Sequence, residues 1–245
     1  MTDKKEWFND WFDSPYYHVL YKNHDATEAR HFIDNFISVF ELQTDLKVMD
    51  LACGRGRHAA YLNSLGYDVT GIDLSKQNIE YARQFENDKL RFIRHDMRDV
   101  FPVKEFDIIV NVFTSFGYFQ TTRENWKAVL QVKNALTTGG MFLLDFFNPN
   151  KVIEQLVPYQ EKIVDGILFK INKEIKSDNC IIKDIKFESK GKDFHFKERV
   201  RLITKDQFET AFKKLGFTIK GIYGDYNFNS YDDKKSQRLI FVVMK

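Results

Sequence analysis

The chain has 245 residues, of which 43% are hydrophobic and 29% charged, with only 4 Pro and 12 Gly. This composition fits one domain, or one domain with a modest insertion, and excludes collagen-like, low-complexity and broadly disordered chains. The formal net charge of +2 excludes an overall basic field directed at nucleic acid or anionic lipid. Aromatic residues make up 16% of the chain, which is the most unusual feature of the composition.

The charge is unevenly distributed, because residues 1–46 carry −5 and residues 170–201 carry +4. Two cysteines, Cys53 and Cys180, are too few for a disulfide framework and match no metal-binding spacing. The polar N-terminus lacks the apolar region of a signal peptide. No apolar run approaches the roughly 20 residues of a membrane helix. We therefore expect a cytoplasmic protein that does not contact a membrane.

The first 150 residues alternate strand-like and helical patterns. Ser75 and the Thr121–Glu124 capping box mark helix starts, and Gly66 and the Gly139-Gly140 pair mark helix ends. Such alternation predicts a parallel sheet with helices on both faces. The predicted helical region is 1–46, and the predicted strands are 46–51, 67–72, 90–93, 106–113 and 141–147.

The hydrophobic period changes near residue 150. Apolar and polar residues then alternate in three successive runs, which predicts a three-stranded antiparallel insertion with one polar face. A second capping box, formed by Thr204 and Gln207, begins a helix that Gly216 ends. The alternating runs are centred on 167–171, 185–187 and 194–202, and the final two strands are predicted at 217–223 and 238–244.

A glycine-rich motif lies between the first predicted strand and the next helix. Gly54-Arg55-Gly56-Arg57-His58-Ala59 fits the pattern G-x-G-x-x-G/A, and Asp73 follows Gly54 by nineteen residues at the end of the second strand. Glycines permit a tight turn and close approach of a ligand, and a carboxylate at this distance can accept hydrogen bonds from the ribose hydroxyls. The motif therefore predicts an adenosine-containing cofactor.

Three further features discriminate between such cofactors. Asp50 lies inside the end of the first strand, where a carboxylate would repel a pyrophosphate but suits a cationic amino-acid group. Asp96 ends the third strand and can accept a hydrogen bond from an adenine amino group. The chain ends as helix, strand, strand, and we expect the last strand to be inserted antiparallel into the sheet.

With these features the sequence resembles the class I S-adenosylmethionine-dependent methyltransferases. The resemblance covers roughly residues 30–150 by motif and 203–245 by element order. Within this superfamily, the sequence is similar to the small-molecule branch that carries an antiparallel β insertion after the fifth strand. The matching segments are Val48–Gly56, Gly71–Ser75, His95–Met97 and Phe106–Ile109.

The resemblance implies an α/β fold. Its main element is a Rossmann-like, seven-stranded, mostly parallel sheet with an antiparallel last strand, helices on both faces, and a three-stranded antiparallel insertion. Residues 1–45 would form an N-terminal helical lid segment, and 46–150 together with 203–245 the S-adenosylmethionine-binding core. Residues 151–202 would form the insertion over the active site.

The resemblance also implies a set of cofactor-binding residues. Asp50 and the backbone of Gly54 and Gly56 would hold the methionine portion, and Asp73 would bind the ribose hydroxyls. Leu74 would pack on the adenine, and Tyr17 would cover the sulfonium through a cation–π contact. The full predicted set is Tyr17, Tyr21, Asp50, Ala52, Gly54, Gly56, Asp73, Leu74, Asp96, Met97, Asn111 and Phe113.

The acceptor is expected beside the cofactor at the carboxyl ends of the strands. We predict substrate contacts by Ser115, Phe116, Phe147 and Arg199, and catalytic contributions by Tyr118 and Asp145. A dedicated catalytic residue is not required, because the methyl donor is already activated and alignment lowers the barrier. We interpret His18, His24 and His31 as solvated helix residues, with the alternative that one of them is the base. For Phe116, Phe147 and Arg199, core or surface roles compete with substrate contact.

The predicted activity is methyl transfer from S-adenosylmethionine to nitrogen or oxygen of a small-molecule acceptor, with S-adenosylhomocysteine as product and no metal ion. Asn111 is not followed by Asn-Pro-Pro-Tyr and no Pro-Cys occurs, which argues against DNA methylation. The alternatives are an RNA or protein methyltransferase, a nicotinamide-dependent oxidoreductase, and a catalytically silent binding module. The expected assembly is a monomer or homodimer.

Overall fold

The structure is a computed structural model that describes residues 6–22 and 26–245. Its strands are β1 (Lys47–Leu51), β2 (Asp68–Asp73), β3 (Leu90–Arg94), β4 (Phe106–Asn111), β5 (Leu136–Phe147), β6 (Tyr159–Val164), β7 (Ile167–Lys176), β8 (Cys180–Ser189), β9 (Lys192–Arg201), β10 (Thr218–Tyr223) and β11 (Arg238–Met244). Its helices are α1 (Trp7–Phe12), α2 (Pro15–Leu20), α3 (Ala26–Val39), α4 (Arg57–Ser64), α5 (Lys76–Ala82), α6 (Thr122–Ala135), α7 (Pro149–Glu154) and α8 (Lys205–Lys214).

Seven strands form the main sheet, in the order β10-β11-β5-β4-β1-β2-β3. The strands β1 to β5 run parallel to one another, and β11 is inserted antiparallel between β5 and β10. Two buried clusters pack on the two faces of this sheet. The predicted fold class is therefore confirmed, including the antiparallel last strand.

Local signals position the helices as expected. The Ser75 side chain accepts from the Asn78 backbone N–H at the start of α5, and Thr121 with Glu124 forms a complete capping box at α6. Ser14 caps α2, whose first residue is Pro15, so the N-terminal region consists of short helices that change direction. None of the helices in residues 6–22 and 26–245 has the length and apolar character needed to cross a membrane.

The antiparallel insertion has four strands, not the three expected. Its order is β6-β7-β8-β9, and β6 was not predicted because its apolar residues do not share one buried face. Ile163, for example, is 73% exposed. A signal was nevertheless present, because Asp165-Gly166 joins β6 to β7 with positive φ angles at both residues, and Asp-Gly is typical of tight hairpin turns.

Two boundaries in the main sheet also differ from expectation. Helix α6 ends at Ala135 rather than at the glycine pair, and residues 136–140 already belong to β5. Gly139 and Gly140 exchange backbone hydrogen bonds with Lys245, at 3.1 and 3.0 Å, so a partner at the far end of the chain extends the strand. Strand β4 ends at Asn111, because Phe113 and Thr114 both adopt positive φ angles.

A side chain at Gly71 would disrupt the packing between β2 and β3. A Cβ atom added there would lie 2.5 Å from Cδ1 of Phe92, which faces it on the next strand. We expect Gly71→Ala to lower the free energy of unfolding by about 1–3 kcal/mol through overpacking. Urea unfolding measures this change. The double variant with Phe92→Leu should lose less than the sum of the single losses, and strict additivity would contradict the proposed clash.

Candidate active site

The glycine-rich loop joins β1 to α4 beneath a cavity at the strand ends. Ala52, Gly54 and Gly56 all have positive φ angles. Gly56 is needed for packing, because a Cβ atom there would lie 2.6 Å from the Phe92 ring. Gly54 is different, since a Cβ atom there would meet nothing within 4 Å. The two glycines thus serve separate purposes, and only the open space above Gly54 is available to a ligand.

Asp73 ends β2 and holds the glycine-rich loop in place. Its Oδ2 accepts from the Gly54 backbone N–H at 2.8 Å, and its Oδ1 accepts from the Ser75 backbone N–H at 2.8 Å. Burial raises the pKa of Asp73 above its ordinary value, and these two backbone donors oppose that effect. The Asn78 side chain also donates to this carboxylate, and because the two carboxylate oxygens together have about four acceptor sites, one site remains for a ligand hydroxyl.

Asp50 lies fully buried inside the end of β1. Its Oδ2 accepts from the Ala59 backbone N–H at 3.1 Å, so the carboxylate caps the N-terminus of α4. Its Oδ1 has no hydrogen-bond partner among the described residues. Burial raises the pKa of Asp50 to about 7, so a nearby positive charge would stabilise the ionised form of this carboxylate.

This shifted group predicts a pH dependence of stability. The pKa of Asp50 is raised from 3.8 to about 7 in the folded chain. The contribution of this carboxyl to the free energy of unfolding is therefore fully present below about pH 3.8 and is lost as pH rises through about 7. We expect Asp50→Asn to be increasingly more stable than the parent protein as pH rises from about 5 to about 8. Thermal unfolding of the ligand-free proteins across this range measures the difference. A pH-independent difference would contradict the shifted pKa.

The first cavity, here called the strand-end cavity, opens at the carboxyl ends of β1, β2 and β3. Asp73 and Asp96 supply its carboxylates. Its lining consists of Phe8, Phe12, Tyr17, His18, Leu51, Ala52, Gly54, Ile72, Asp73, Leu74, Asn78, His95, Asp96, Met97, Ser115, Tyr118 and Phe119.

Asp96 is held by an arginine next to the strand-end cavity. Arg98 donates from Nη2 to Asp96 Oδ2 at 2.6 Å and also pairs with Glu6 at 2.7 Å. Burial alone would raise the pKa of Asp96, but the Arg98 hydrogen bonds and charge lower it below the ordinary value. Asp96 is therefore ionised and fixed in orientation at the position expected for an adenine contact.

The second cavity, here called the insertion cavity, is larger than the first and lies between the glycine-rich loop and the inner face of the four-stranded sheet. Its lining is mostly basic and aromatic. It consists of Trp7, Phe12, Tyr17, His18, Tyr21, Lys22, Ala52, Cys53, Gly54, Arg55, Arg57, His58, Val112, Phe113, Thr114, Ser115, Tyr118, Phe147, Val152, Ile181, Lys183, Glu198, Val200 and Arg238.

The two cavities meet at a junction, defined by the residues that line both. Most of these junction residues were predicted from the sequence as cofactor, substrate or catalytic residues. Phe12 and His18 were not. The junction consists of Phe12, Tyr17, His18, Ala52, Gly54, Ser115 and Tyr118.

The predicted residues are thus divided between the two cavities. Leu74 and Met97 lie in the strand-end cavity with Asp73 and Asp96. Tyr21, Phe113 and Phe147 line only the insertion cavity, so two predicted cofactor residues, Tyr21 and Phe113, do not line the strand-end cavity.

Several predicted residues line neither cavity. Gly56 packs under the loop, and Asp50 lies below it. Asn111 is fully buried and donates to the Leu51 carbonyl at 2.8 Å, which ties β4 to β1. Phe116 is 3% exposed and belongs to the main core. These residues pack beneath the residues that line the cavities and support the cavity walls.

Asp145 also lies behind the cavities, and its carboxylate is fully engaged. It accepts from the Phe113 backbone N–H at 2.7 Å, from Arg238 Nε at 2.8 Å and from the Tyr226 hydroxyl at 3.2 Å. Arg238 in turn donates to the Thr114 hydroxyl at 2.9 Å. The structure therefore gives Asp145 a positioning role for the strained Phe113-Thr114 segment rather than contact with a reacting atom.

Arg199, predicted to bind substrate, instead joins the insertion to the loop after β4. It donates to Asp178 at 2.8 Å and to the Phe119 carbonyl at 3.3 Å. Tyr118, predicted to be catalytic, lies at the junction, but its hydroxyl donates to the Thr114 carbonyl at 2.5 Å. Its proton is therefore already committed to the protein.

The sequence analysis missed a polar cluster in which Glu198 and Lys183 of the insertion meet Tyr21, the residue after α2. Glu198 Oε1 accepts from the Tyr21 hydroxyl at 2.6 Å and from Trp11 Nε1 at 2.7 Å, and Lys183 lies 3.1 Å from Glu198 Oε2. A signal was present, because Glu198 falls between Phe196 and Val200 on the apolar side of the β9 alternation. An inward-facing charge on an otherwise apolar strand face indicates a partner or a site.

The three predicted surface histidines have different surroundings. His18 lines both cavities, and its Nε2 lies 2.8 Å from Asn78 Oδ1, so it is not a solvated helix residue. His31 forms a hydrogen bond with Asn227 on the surface. His24 lies outside the described residues.

Comparison with known proteins agrees with this geometry. Residues 48–140, which contain the glycine-rich loop, Asp73 and Asp96, match the methyltransferase domain family. An S-adenosylmethionine-dependent methyltransferase from Clostridium acetobutylicum ATCC 824 has a similar structure, with a TM-score of 0.80, 21% identity and coverage of 94% of this chain and 95% of its own. The chain has the fold of a class I S-adenosylmethionine-dependent methyltransferase. The predicted resemblance is confirmed.

Two further relatives of this methyltransferase fold are sugar methyltransferases. The Streptomyces venezuelae dTDP-3-amino-3,4,6-trideoxy-alpha-D-glucopyranose N,N-dimethyltransferase is 26% identical over 184 residues, covering 72% of this chain and 77% of its own length. The S-adenosylmethionine-bound amino pentose methyltransferase CalS10 from Micromonospora echinaspora has a TM-score of 0.71 at 18% identity, covering 94% of this chain and 97% of its own.

The residues at the strand-end cavity fit such a cofactor. Gly54 leaves space that a Cβ atom would fill, and Asp73 retains acceptor capacity at the second strand end. A cationic group placed near the loop would stabilise the Asp50 carboxylate, whose Oδ1 has no hydrogen-bond partner among the described residues. The aromatic ring of Tyr17 at the junction can stabilise a sulfonium.

Proposed function

We propose that this protein transfers a methyl group from S-adenosylmethionine to a nitrogen or oxygen atom of a small-molecule acceptor. The observation that carries the proposal is the junction, where an acidic cavity at the strand ends meets a separate cavity under the insertion. One cavity would hold the cofactor and the other the acceptor, with Tyr17 and Ser115 between them.

The proposed cofactor contacts are those that the resemblance implies, and the lining of the strand-end cavity supports them. Asp73 binds the ribose hydroxyls, Asp96 and Met97 frame the adenine, and the backbone at Gly54 approaches the methionine portion. The N-terminal helices, with Tyr17, cover the cofactor as a lid segment. When bound, the cofactor supplies an activated methyl group on a positively charged sulfur.

The chain contributes alignment and exclusion of water. Holding nucleophile and methyl carbon in line supplies roughly 7–11 kcal/mol of the barrier reduction when the geometry is right. Tyr118 and Asp145 both have protein partners for their polar atoms, so neither acts as the base in this proposal. His18 lies at the junction, and burial lowers its pKa below the ordinary value, so it is neutral near pH 7 and can accept a hydrogen bond or proton from the acceptor.

The small-molecule class is supported by the sugar methyltransferases among the relatives. The Streptomyces venezuelae relative is by name an N,N-dimethyltransferase acting on an amino sugar nucleotide, which favours nitrogen as the acceptor atom. The insertion cavity is the larger of the two cavities, which leaves room for a small-molecule acceptor beside the cofactor.

Isothermal titration with S-adenosylhomocysteine tests the cofactor half of the proposal. We expect saturable binding to the folded protein and no binding of NADH. Folded protein that does not bind S-adenosylhomocysteine would overturn the proposal, and NADH binding would favour the oxidoreductase alternative. Transfer of a labelled methyl group to a panel of small amines and hydroxyl compounds, compared with RNA and protein substrates, tests the acceptor half.

A further inference from the structure

We propose that the insertion cavity recognises its acceptor through an anionic group, a phosphate or a carboxylate, and that Lys183 is the residue that binds it. The inference rests on the proposed function in taking the insertion cavity as the acceptor site. It adds the charge of the substrate and a specificity-determining residue, neither of which follows from the fold.

Lys183 is held at the cavity wall by a buried carboxylate. It lies on β8, directly opposite Glu198 on β9, with its Nζ 3.1 Å from Glu198 Oε2 and 3.0 Å from the Tyr21 hydroxyl. A lysine ammonium has three N–H donors, so these two partners leave donor capacity for a ligand. The side chain retains 33% exposure and lines the insertion cavity.

Glu198 itself is not suited to bind a cationic acceptor. Its Oε1 already accepts from Trp11 and Tyr21, and its Oε2 pairs with Lys183. A cationic acceptor would have to displace one of these partners and leave it buried without a hydrogen bond, which is costly. Glu198 therefore orients Lys183 rather than competing with it for the ligand.

The charge of the residues around the insertion cavity also favours an anionic acceptor. Among the described residues that line it, Glu198 is the single carboxylate, and five side chains are cationic: Lys22, Arg55, Arg57, Lys183 and Arg238. Lys22 and Arg238 pair with Asp165 and Asp145, which lie outside the lining. The strand-end cavity has the opposite character, with Asp73 and Asp96. The strand-end cavity would thus favour a cationic cofactor, and the insertion cavity an anionic acceptor.

Four small probes that share a benzene ring test the charge preference. Phenylphosphonate and benzoate are anionic, benzamide is neutral and benzylamine is cationic, and each is titrated into protein saturated with S-adenosylhomocysteine. We expect the two anions to bind more tightly than benzamide, and benzylamine to bind most weakly. The ratio of phenylphosphonate to benzoate affinity then distinguishes a phosphate-bearing from a carboxylate-bearing acceptor.

A lysine substitution with a matched control tests the residue. Lys183→Met should weaken binding of the preferred anion about 10-fold, the effect of losing one charge-assisted hydrogen bond. Lys186→Met, on the same strand but exposed to solvent, should leave the anion affinity unchanged. Both variants should retain S-adenosylhomocysteine affinity, which reports that each is folded.

The inference is overturned if benzamide or benzylamine binds as tightly as the anions, if neither anion binds at about 10 mM, or if Lys183→Met leaves anion binding unchanged. Any of these results with normal S-adenosylhomocysteine binding would leave the proposed methyltransferase function standing. Failure of the parent protein to bind S-adenosylhomocysteine would instead count against the proposed function.

Discussion

Replacing Asp73 with Ala is expected to weaken S-adenosylhomocysteine binding about 100-fold. The carboxylate retains an acceptor site, and a charge-assisted hydrogen bond to a ribose hydroxyl contributes about 1.5–3 kcal/mol. The substitution also removes the acceptor for the Gly54 and Ser75 backbone N–H groups, so the loop loses its anchor. Isothermal titration measures the affinity.

The control for this prediction lies at the other end of the same strand. Asp68 begins β2 and pairs with Arg91 at the surface, so Asp68→Asn should leave the S-adenosylhomocysteine affinity unchanged. Asp73→Asn should fall between Asp73→Ala and the parent protein, because one amide oxygen still accepts. An unchanged affinity in Asp73→Ala would refute the ribose assignment.

Replacing Glu198 with Ala is expected to lower the free energy of unfolding by about 3 kcal/mol. Glu198 is 8% exposed, and its removal leaves the Trp11 N–H and the Tyr21 hydroxyl without their acceptor. Lys183 is partly solvated, so its loss of a partner contributes less than that of a fully buried charge. Urea unfolding measures the effect, and Glu188→Ala on an exposed position of β8 serves as the matched control, with an expected change within about 0.5 kcal/mol.

The same carboxylate should produce an acid-dependent loss of stability. Burial alone would raise the pKa of Glu198, but Lys183 and the hydrogen bonds from Tyr21 and Trp11 lower it below 4.5. Its contribution is therefore present above pH 4.5 and is lost as pH falls through the lower folded-state pKa. Glu198→Gln should lack this component. Equal pH profiles for the parent and Glu198→Gln, or equal stability of Glu198→Ala and Glu188→Ala, would exclude a stabilising charge cluster.

The cofactor side of the site was largely predictable from the sequence. The Gly54-x-Gly56 motif, Asp73 and Asp96 each follow a strand of a parallel sheet, and the carboxyl ends of such strands meet at one edge. Capping residues such as Thr121 and Ser75 act on their own helix, so their signals are local. The structure places Asp73 and Asp96 in one cavity, as the spacing indicates.

The insertion cavity and its surroundings were less predictable, because their residues meet only through long-range packing. Glu198 contacts Tyr21, 177 residues away, and Asp145 contacts Arg238, 93 residues away. Asp145 at a strand end suggested a catalytic group, yet its partners in the β10–β11 region convert it into an anchor for Phe113. Arg199 likewise appeared suited to a ligand, but Asp178 and the Phe119 carbonyl occupy it.

The sequence by itself determined the alternation of strands and helices, the glycine-rich loop and the acidic strand ends, because hydrophobic period, capping and turn chemistry act over short distances. It also accounts for much of the aromatic excess, as in Phe32 and Phe36 at helical spacing. Only the tertiary structure decided which partners the inward-facing charges of the insertion meet. That outcome depends on how the N-terminal helices pack on the four-stranded sheet, with Trp11 on Phe196 at 4.6 Å, and no local pattern encodes such a contact.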